Sequence, residues 1–317
     1  MKLQVLMCLV SFIATVVLAI ITIPILKKYK IGQVERKLGP ESHLSKSGTP
    51  TMGGITILIP ICVILIVMSF KYPILVLPLI ATLGFGLTGF IDDRKKLVEH
   101  STDGISAKMK MLLLFVTTAV FILVYFLVFN LNTEMLIPFV SKPVVLSTGV
   151  FVLFTAFIML GTSNAINLTD GLDGLASGIT ACVMAFFTVI AIKNNDTPMI
   201  ILGASSVGSI LGFLVFNIKP AKVFMGDTGS LALGGIVAST AIVMQMPVYL
   251  AIVLLIPVLE TLSVALQVLY FKATKGKRLF KMAPLHHHLE LSGMGEEKIV
   301  IMFWSITAIL CVIAYLV

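Results

Sequence analysis

Ten apolar stretches divide this chain of 317 residues, and each is close to the length that a helix needs to cross a lipid bilayer. Such a helix requires about 20 consecutive, mostly apolar residues. Because 58% of the residues are hydrophobic and only 12% are charged, no water-soluble fold could bury the apolar excess. We therefore predict an all-α polytopic membrane protein, with one transmembrane domain over residues 1–317. The helices are expected at about 3–26, 53–70, 73–91, 110–129, 147–165, 176–192, 198–216, 229–246, 248–271 and 299–317.

The basic residues are distributed unequally between the connections on the two sides of the predicted bundle. If the chain begins outside the cell, 19 of the 23 Lys and Arg lie on the opposite side. Connections rich in Lys and Arg stay in the cytoplasm. This side is therefore predicted to be cytoplasmic, and both termini are predicted to be outside. Because the net charge of +8 reflects this orientation, nucleic acid is not an expected partner.

Acidic and histidine side chains concentrate at the same predicted cytoplasmic face. Thirteen of the 15 Asp and Glu and all five His lie on or near it. Acids contribute little to membrane topology, so orientation alone does not require this distribution. We therefore expect the cytoplasmic face to carry the chemistry. The outer connection at 130–146 fits a small hairpin, and no function is predicted for it.

The first polar motif is Asp92-Asp93-Arg94-Lys95-Lys96, directly after the third apolar stretch. Neighbouring carboxylates repel each other, and such a pair can bind a divalent cation, position a phosphate or act as a base. A solvated, charged helix end explains the same five residues about equally well.

The second polar motif covers residues 164–174 and contains no basic residue. Asp170 and Asp173 are three residues apart, which would place both carboxylates on one face of a helix. Gly171 and Gly174 allow close approach of the backbone. A turn rich in Asn, Asp and Gly is the alternative. The segment lacks the ligand pattern of an EF-hand, so a calcium sensor is not expected.

The third polar motif covers residues 217–230 and leads into the eighth apolar stretch. Asp227 or Thr228 could cap the helix that begins there, and the free amides at its start would attract phosphate. Capping alone explains the Asp-Thr-Gly-Ser sequence about as well. It does not explain Phe224, which could stack on a base or dip into lipid.

The fourth polar motif contains three consecutive histidines, His286, His287 and His288. Consecutive side chains do not all point one way, so a zinc site of three histidines is not expected. They suit hydrogen bonding to phosphate or sugar, or proton transfer. A histidine run at the membrane interface is the alternative.

In the ninth stretch, Glu260 and Gln267 are seven residues apart, and their shared helical face either lines a groove or makes hydrogen bonds between helices.

Taken together and in this order, the motifs resemble those of the polyprenyl-phosphate N-acetylhexosamine 1-phosphate transferases. The similarity runs from the first apolar stretch to the last, and the family's ten helices and outward termini agree with the predictions above. The Pro-Leu-His-His-His-Leu-Glu sequence is similar to that of the family's muramoyl-pentapeptide branch. The matching segments are residues 46–54, Asp92-Asp93 with Lys96, and residues 167–173, 224–230 and 284–290.

The resemblance implies an enzyme that transfers phospho-MurNAc-pentapeptide from UDP-MurNAc-pentapeptide to undecaprenyl phosphate. The implied products are lipid I and UMP, and the implied cofactor is Mg2+. The resemblance also implies one catalytic domain in the bacterial cytoplasmic membrane, in contact with membrane lipid, with its site on the cytoplasmic face, and a homodimer. Two alternatives stay open. One is a transferase that uses UDP-GlcNAc with the same lipid, and the other is a secondary transporter, which predicts acids near the bilayer midplane and interrupted helices.

The resemblance also implies roles for individual residues. Asp227 is expected to bind Mg2+ on the donor pyrophosphate, while Asp92 and Asp93 act on the acceptor phosphate or assist the metal. Direct attack is favoured over a covalent phospho-aspartate, because the lipid phosphate is already an anionic nucleophile. The residues expected at the nucleotide and phosphate site are Lys46, Thr51, Lys96, Asn167, Asp170, Asp173, Asn217 and Phe224, with His286, His287 and His288 near the sugar phosphates and Gln267 nearby.

Overall fold

The computed structural model describes residues 2–28, 48–99 and 103–317, and most of these residues are helical. Within those ranges, nine helices are long and apolar enough to cross a membrane, and α2 is apolar but shorter. The predicted all-α polytopic class is therefore confirmed. The helices are α1 (Leu3–Lys28), α2 (Gly54–Ser69), α3 (Val76–Val98), α4 (Ala107–Leu127), α5 (Thr148–Thr169), α6 (Leu175–Lys193), α7 (Thr197–Asn217), α8 (Gly226–Val243), α9 (Leu250–Val253), α10 (Leu255–Ala273), α11 (Leu285–Glu290) and α12 (Glu296–Leu316).

Two helix boundaries differ from the prediction in ways that affect the site. The Asp-Asp motif lies in the last turns of α3 rather than after it, and the pairing of Lys96 with Asp92 one turn earlier supports this extension. The ninth stretch is broken at Leu254 into α9 and α10. Pro257 explains the break, because a proline lacks the N–H that would bond to the carbonyl four residues earlier.

The outer connection at 130–146 contains a small hairpin, as predicted. Its strands are β1 (Glu134–Met135) and β2 (Val144–Val145), which pair antiparallel with Glu134 opposite Val145. The Tyr125 hydroxyl donates to the Asn132 carbonyl at 2.8 Å, and the Gln245 side chain donates to the Asn132 side chain at 2.7 Å. The hairpin is therefore joined to the ends of α4 and α8.

Helix α8 lies at the centre of the bundle, and every residue from Thr228 to Ile242 is buried. Its glycines and other small residues allow the neighbouring helices to approach closely, as is typical of helix contacts within membranes. At its first turn, Gly229 lies against Gly54 of α2, and the backbone of Asp227 lies against Gly89 of α3. The start of α8 is thus enclosed by two other helices, and this contact positions the candidate site.

Candidate active site

Three carboxylates from two helices meet where α3 ends and α8 begins. The side-chain oxygens of Asp92, Asp93 and Asp227 that face one another all lie within 4.8 Å. The contact depends on Gly89, because a Cβ atom at that position would collide with the backbone of Asp227 and Thr228. The sequence predicted each acid as a site residue, and the structure brings all three together.

Asp93 forms hydrogen bonds to the first turn of α8. Its Oδ1 accepts the backbone N–H of Asp227 at 3.1 Å, and its Oδ2 accepts the N–H of Thr228 at 2.9 Å and the Thr228 hydroxyl at 2.7 Å. A carboxylate at this position satisfies free amides and interacts favourably with the helix dipole. The prediction that Asp227 or Thr228 caps α8 is therefore wrong, because the capping carboxylate comes from α3.

Two ammonium groups lie between Asp92 and Asp227. Lys96 Nζ is 2.6 Å from Asp92 Oδ2 and 3.1 Å from Asp227 Oδ2. Lys110 Nζ is 2.6 Å from Asp227 Oδ2 and 3.6 Å from Asp92 Oδ2. The sequence analysis counted Lys110 only as a topological charge and missed its place in the site. Its position in the first turn of an apolar helix was the available signal, since a buried cation requires an acidic partner.

Helix α5 contributes Asn167 to the same cluster. Asn167 Nδ2 donates to Asp227 Oδ1 at 3.1 Å and to Ser230 Oγ at 2.8 Å. Together with the two lysines on Oδ2, this contact fixes both oxygens of Asp227 in orientation. The predicted site residue Asn167 therefore lies in direct contact with Asp227.

Residues 170–174 form a turn between α5 and α6, so the prediction that Asp170 and Asp173 share a helical face is wrong. The half-buried Asp170 lies at the end of α5. Burial and the nearby carboxylates, chiefly that of Asp227, raise the pKa of Asp170 to about 8. Among the residues that the structure describes, none forms a hydrogen bond to its carboxylate. Asp170 therefore adds an unpaired acid beside the cluster.

Asp173 and Asn217 hold the loops around the site by hydrogen bonds to backbone. The buried Asp173 accepts the N–H of Ala221 at 2.9 Å. The buried Asn217 accepts the N–H of Gly174 at 3.1 Å, and its amide donates to the Val223 carbonyl at 3.0 Å. These contacts join the connection between α5 and α6 to that between α7 and α8. Both residues were predicted to line the substrate site, and these hydrogen bonds show that they also hold the two loops together.

Residues 50–54 pair with residues 224–225 and bring Thr51 to the site. The Phe224 N–H donates to the Pro50 carbonyl at 2.8 Å, and the Gly53 N–H donates to the Phe224 carbonyl at 2.8 Å. Thr51 lies beside Gly226, where a Cβ atom would be 3.0 Å from the Thr51 hydroxyl and 2.7 Å from Asp93 Oδ2. Phe224 is half-buried in the same segment. The predicted site residue Lys46 lies outside the described residues.

The three histidines of α11 face different neighbours, as expected for consecutive residues. His286 is buried, and its Nδ1 is 3.1 Å from Glu260 Oε2 of α10. His287 Nδ1 is 2.8 Å from Glu290 Oε2, and His288 Nδ1 accepts a backbone N–H at 3.2 Å. The imidazole of His286 also lies against Gly171, in the turn at residues 170–174 of the second motif.

Gln267 holds the connection between α10 and α11. Its Oε1 accepts the N–H of Leu279 at 3.0 Å and that of Phe280 at 2.9 Å, and its Nε2 donates to the Phe280 carbonyl at 3.2 Å. Glu260 and Gln267 therefore share the predicted face of one helix. Glu260 contacts the histidine segment itself, and Gln267 binds the backbone of the connection that leads to it.

Comparison with known proteins gives an independent assignment. Residues 75–245 match the model of glycosyl transferase family 4, and residues 46–58 match phospho-N-acetylmuramoyl-pentapeptide-transferase signature 1. The chain is 47% identical to the phospho-N-acetylmuramoyl-pentapeptide-transferase of Acetivibrio thermocellus, over 97% of this chain and 93% of the relative. It is 46% identical to the enzyme of that name from Bacillus subtilis, over 96% of this chain and 94% of the relative. The chain belongs to the phospho-N-acetylmuramoyl-pentapeptide-transferase family.

Membership of this family confirms the resemblance found in the motifs and makes the chain a phosphosugar transferase. The region that matches family 4 includes all three clustered aspartates, Asp92, Asp93 and Asp227, whereas the histidine motif lies beyond it. The transporter alternative loses its support. The broken helix that it predicts is present, but Pro257 accounts for the break, and the acid of that segment is paired with His286.

The donor set of this transferase fits a divalent cation. Carboxylate oxygens are the ligands that Mg2+ prefers in proteins, and the convergence of two lysines on Asp227 Oδ2 indicates that this position attracts positive charge. The Asp227 side chain is 16% exposed, compared with 2% for Asp92 and 3% for Asp93. Asp227 is therefore the most exposed of the three carboxylates and the most accessible to a metal ion.

Proposed function

We propose that this transferase moves phospho-MurNAc-pentapeptide from UDP-MurNAc-pentapeptide to undecaprenyl phosphate. An oxygen of the lipid phosphate attacks the β-phosphorus of the donor, the bond from this phosphorus to the bridging oxygen breaks, and UMP leaves with that oxygen. The product is lipid I. The observation that carries the proposal is the cluster of Asp92, Asp93 and Asp227 with two lysines at the end of an apolar bundle. A lipid-anchored phosphate and a soluble nucleotide can meet at such a position.

The donor pyrophosphate is proposed to bind at Asp227. When bound there, Mg2+ supplies charge neutralisation on the pyrophosphate. Asn167 keeps the Asp227 carboxylate in one orientation. Lys96 and Lys110 carry the positive charge that phosphate oxygens require, and enzymes of phosphoryl transfer act mainly by positioning reactants and neutralising charge.

The acceptor phosphate is proposed to meet Asp92. Both oxygens of Asp93 are already engaged by the first turn of α8, so Asp93 acts mainly by holding Asp227 in place. Asp92 Oδ1 accepts the Ile105 N–H at 3.0 Å, while its Oδ2 faces the two lysines. The cations beside Oδ2 would draw the anionic lipid phosphate to this carboxylate. Direct attack is favoured because the acceptor is itself a nucleophile.

The lipid chain is proposed to lie along α10. Several large apolar side chains of its second half are exposed, among them Leu266, Leu269 and Phe271. The end of α10 and the connection that follows it, residues 272–281, are rich in Lys and Arg. An apolar helix that ends in basic residues suits an amphiphile with an anionic head group. We further propose that this end of the bundle faces the cytoplasm of a bacterial cell, because the predicted topology assigns 19 of the 23 basic residues to that side, and that the chain forms a homodimer.

The test is a comparison of donors with the purified full-length protein in detergent. UDP-MurNAc-pentapeptide or UDP-GlcNAc is added with undecaprenyl phosphate and Mg2+, and the UMP and lipid products are measured. We expect UMP and lipid I only with the muramoyl donor, in proportion to each other. Product from UDP-GlcNAc alone would favour the related transferase, and UMP release without the lipid acceptor would contradict transfer to lipid.

A further inference from the structure

A fully buried acid lies in the ninth apolar stretch, and its partner is a histidine. Glu260 of α10 is 0% exposed. The backbone N–H of His286 donates to both of its oxygens, at 3.2 and 3.3 Å, and His286 Nδ1 is 3.1 Å from Glu260 Oε2. Within the described part of the chain, no Lys or Arg forms an ion pair with Glu260. Acids inside membrane segments are rare and mark functional sites by default.

The other ring nitrogen of His286 has no partner. Nε2 is buried, and among the described residues no group forms a hydrogen bond to it. The ring lies against Gly171, where a Cβ atom would collide with Nε2 itself. Gly171 follows Asp170, which is close enough to Asp227 to be affected by its charge. A buried polar atom without a partner requires an explanation, and here it faces the turn beside the carboxylate cluster.

Glu260 controls which ring nitrogen carries the proton. A carboxylate accepts hydrogen bonds and cannot donate them, so the nitrogen beside it must be protonated. The backbone N–H of His286 also donates to both oxygens of Glu260, so the carboxylate acts as an acceptor in every contact with His286. His286 is therefore held with its proton on Nδ1, and Nε2 is directed at the turn. Carboxylate–histidine pairs in other enzymes fix the tautomer and the orientation of the ring in the same way.

We propose that Glu260 is a positioning residue for this transferase: it holds His286 in one tautomer and one orientation, so that Nε2 is directed at the turn of residues 170–174 beside the carboxylate cluster. The inference rests on the proposed function. A purely structural pair would join α10 to α11 but would not require a free Nε2 or a glycine opposite the ring. The pair also explains why an acid is retained in an apolar helix.

The first test is a double-mutant cycle of the turnover number of the full-length protein. Glu260→Gln keeps the shape of the side chain but can either accept from Nδ1 or donate to it, so the tautomer is no longer fixed. We expect kcat to fall about 10- to 100-fold with little change in KM for either substrate, as for other residues that orient a catalytic group. His286→Gln should lower kcat at least as far, and the double variant should be no slower than His286→Gln alone.

Two results of the cycle would overturn the inference. One is a kcat for Glu260→Gln close to that of the parent while His286→Gln is impaired. The other is a loss in the double variant that equals the product of the two single losses, since this would mean independent action. Glu297→Gln, an exposed acid at the start of α12, is the control and should keep the parental kcat.

A second pair of variants moves the ring without changing Glu260. Gly171→Ala should lower kcat, because the new methyl group would displace the imidazole. Gly161→Ala on α5 is the matched control, because a Cβ atom at this position would lie in open space, and it should keep the parental kcat. A parental kcat for Gly171→Ala would contradict the presentation of Nε2 at this turn.

The tautomer can be read without any substrate. In protein labelled with 15N-histidine, the NMR signal that is lost in His286→Gln should report a proton on Nδ1, and in Glu260→Gln it should shift towards a mixture. A proton on Nε2 in the parent, with Nδ1 unprotonated, would overturn this inference and would leave the proposed function standing. Absence of donor-dependent UMP release from the parent would instead reject the proposed function. The two failures are therefore distinguishable.

Discussion

Lys110 and Asp227 form an ion pair of 2.6 Å between Nζ and Oδ2, although 117 residues separate them in the chain. Lys110 lies in the first turn of α4, and Asp227 lies in the first turn of α8. Because Lys96 contacts the same oxygen, two cations partly balance the three carboxylates of the cluster. The two ammonium groups thus offset part of the negative charge of the cluster, and they supply positive charge where anionic substrates are proposed to bind.

Removal of the Lys110 charge should impair catalysis. In Lys110→Met, we expect kcat/KM for the nucleotide donor to fall about 10-fold or more, because a charge-assisted contact to phosphate is typically worth about 1.5–3 kcal/mol. The measurement is the initial rate of UMP release at several donor concentrations. Lys108→Met, an exposed lysine on the same helix, is the control and should retain parental kinetics. Equal rates for both variants would contradict the placement of Lys110 in the site.

Asp93 and Asp227 should differ in their effects on stability. In Asp93→Asn, the new amide nitrogen cannot accept one of the hydrogen bonds from the start of α8. Loss of a helix cap typically costs about 1 kcal/mol. We therefore expect a lower unfolding temperature for Asp93→Asn than for Asp227→Asn, measured in the same detergent without Mg2+. A lower unfolding temperature for Asp227→Asn would contradict the capping role of Asp93.

The stability of the protein should depend on pH through Asp170. Burial and neighbouring acids raise the pKa of Asp170 from its ordinary 3.8 to about 8. A raised carboxyl pKa means that the folded state favours the protonated form, so this group weakens folding as the pH rises from about 4 to about 8. Without Mg2+, Asp170→Asn should therefore unfold at a higher temperature than the parent at pH 8, and the difference should shrink towards pH 5.

The same experiment has a metal-dependent arm. Mg2+ should narrow the difference at pH 8, since a bound cation favours ionised carboxylates nearby. Glu297→Gln, which removes an exposed acid, should follow the parent at every pH. A difference between Asp170→Asn and the parent that does not change with pH would contradict the electrostatic origin of the effect.

Asn217 should prove to be a structural residue. Asn217→Ala leaves the Gly174 N–H, the Ser177 hydroxyl and the Val223 carbonyl without their partner in a buried position. Each unsatisfied buried group costs about 1–3 kcal/mol, so the unfolding temperature should fall clearly. Asn194→Ala, at the exposed end of α6, is the control. A parental unfolding temperature combined with a raised KM for the donor would instead favour direct contact of Asn217 with substrate.

The apolar stretches predicted the helices because burial in lipid depends on local composition. Each of the ten stretches corresponds to helical structure, and the four polar motifs were recognised as site candidates from their residue types. Contacts between distant residues could not be predicted in this way. The cap that Asp93 provides for α8 depends on the close approach permitted by Gly89, and nothing in the Asp92-Asp93 sequence indicates it.

Glu260 illustrates the same limit of sequence analysis. Its position in an apolar helix indicated a functional or structural partner, and both interpretations stayed open. His286 is the partner of Glu260 because the helix break at Leu254 and the loop that Gln267 holds together bring α11 back to α10. These contacts form only in the folded chain, and no spacing of residues in the sequence indicates them.

The central claim is that the aspartate cluster performs metal-dependent transfer of a phosphosugar to a lipid phosphate. The most direct measurement is the formation of lipid I from UDP-MurNAc-pentapeptide and undecaprenyl phosphate by the purified parent and by Asp227→Asn, each with and without Mg2+. We expect product from the parent only when Mg2+ is present and none from folded Asp227→Asn under either condition. Comparable product from Asp227→Asn, or no product from the folded parent with Mg2+, would contradict the claim.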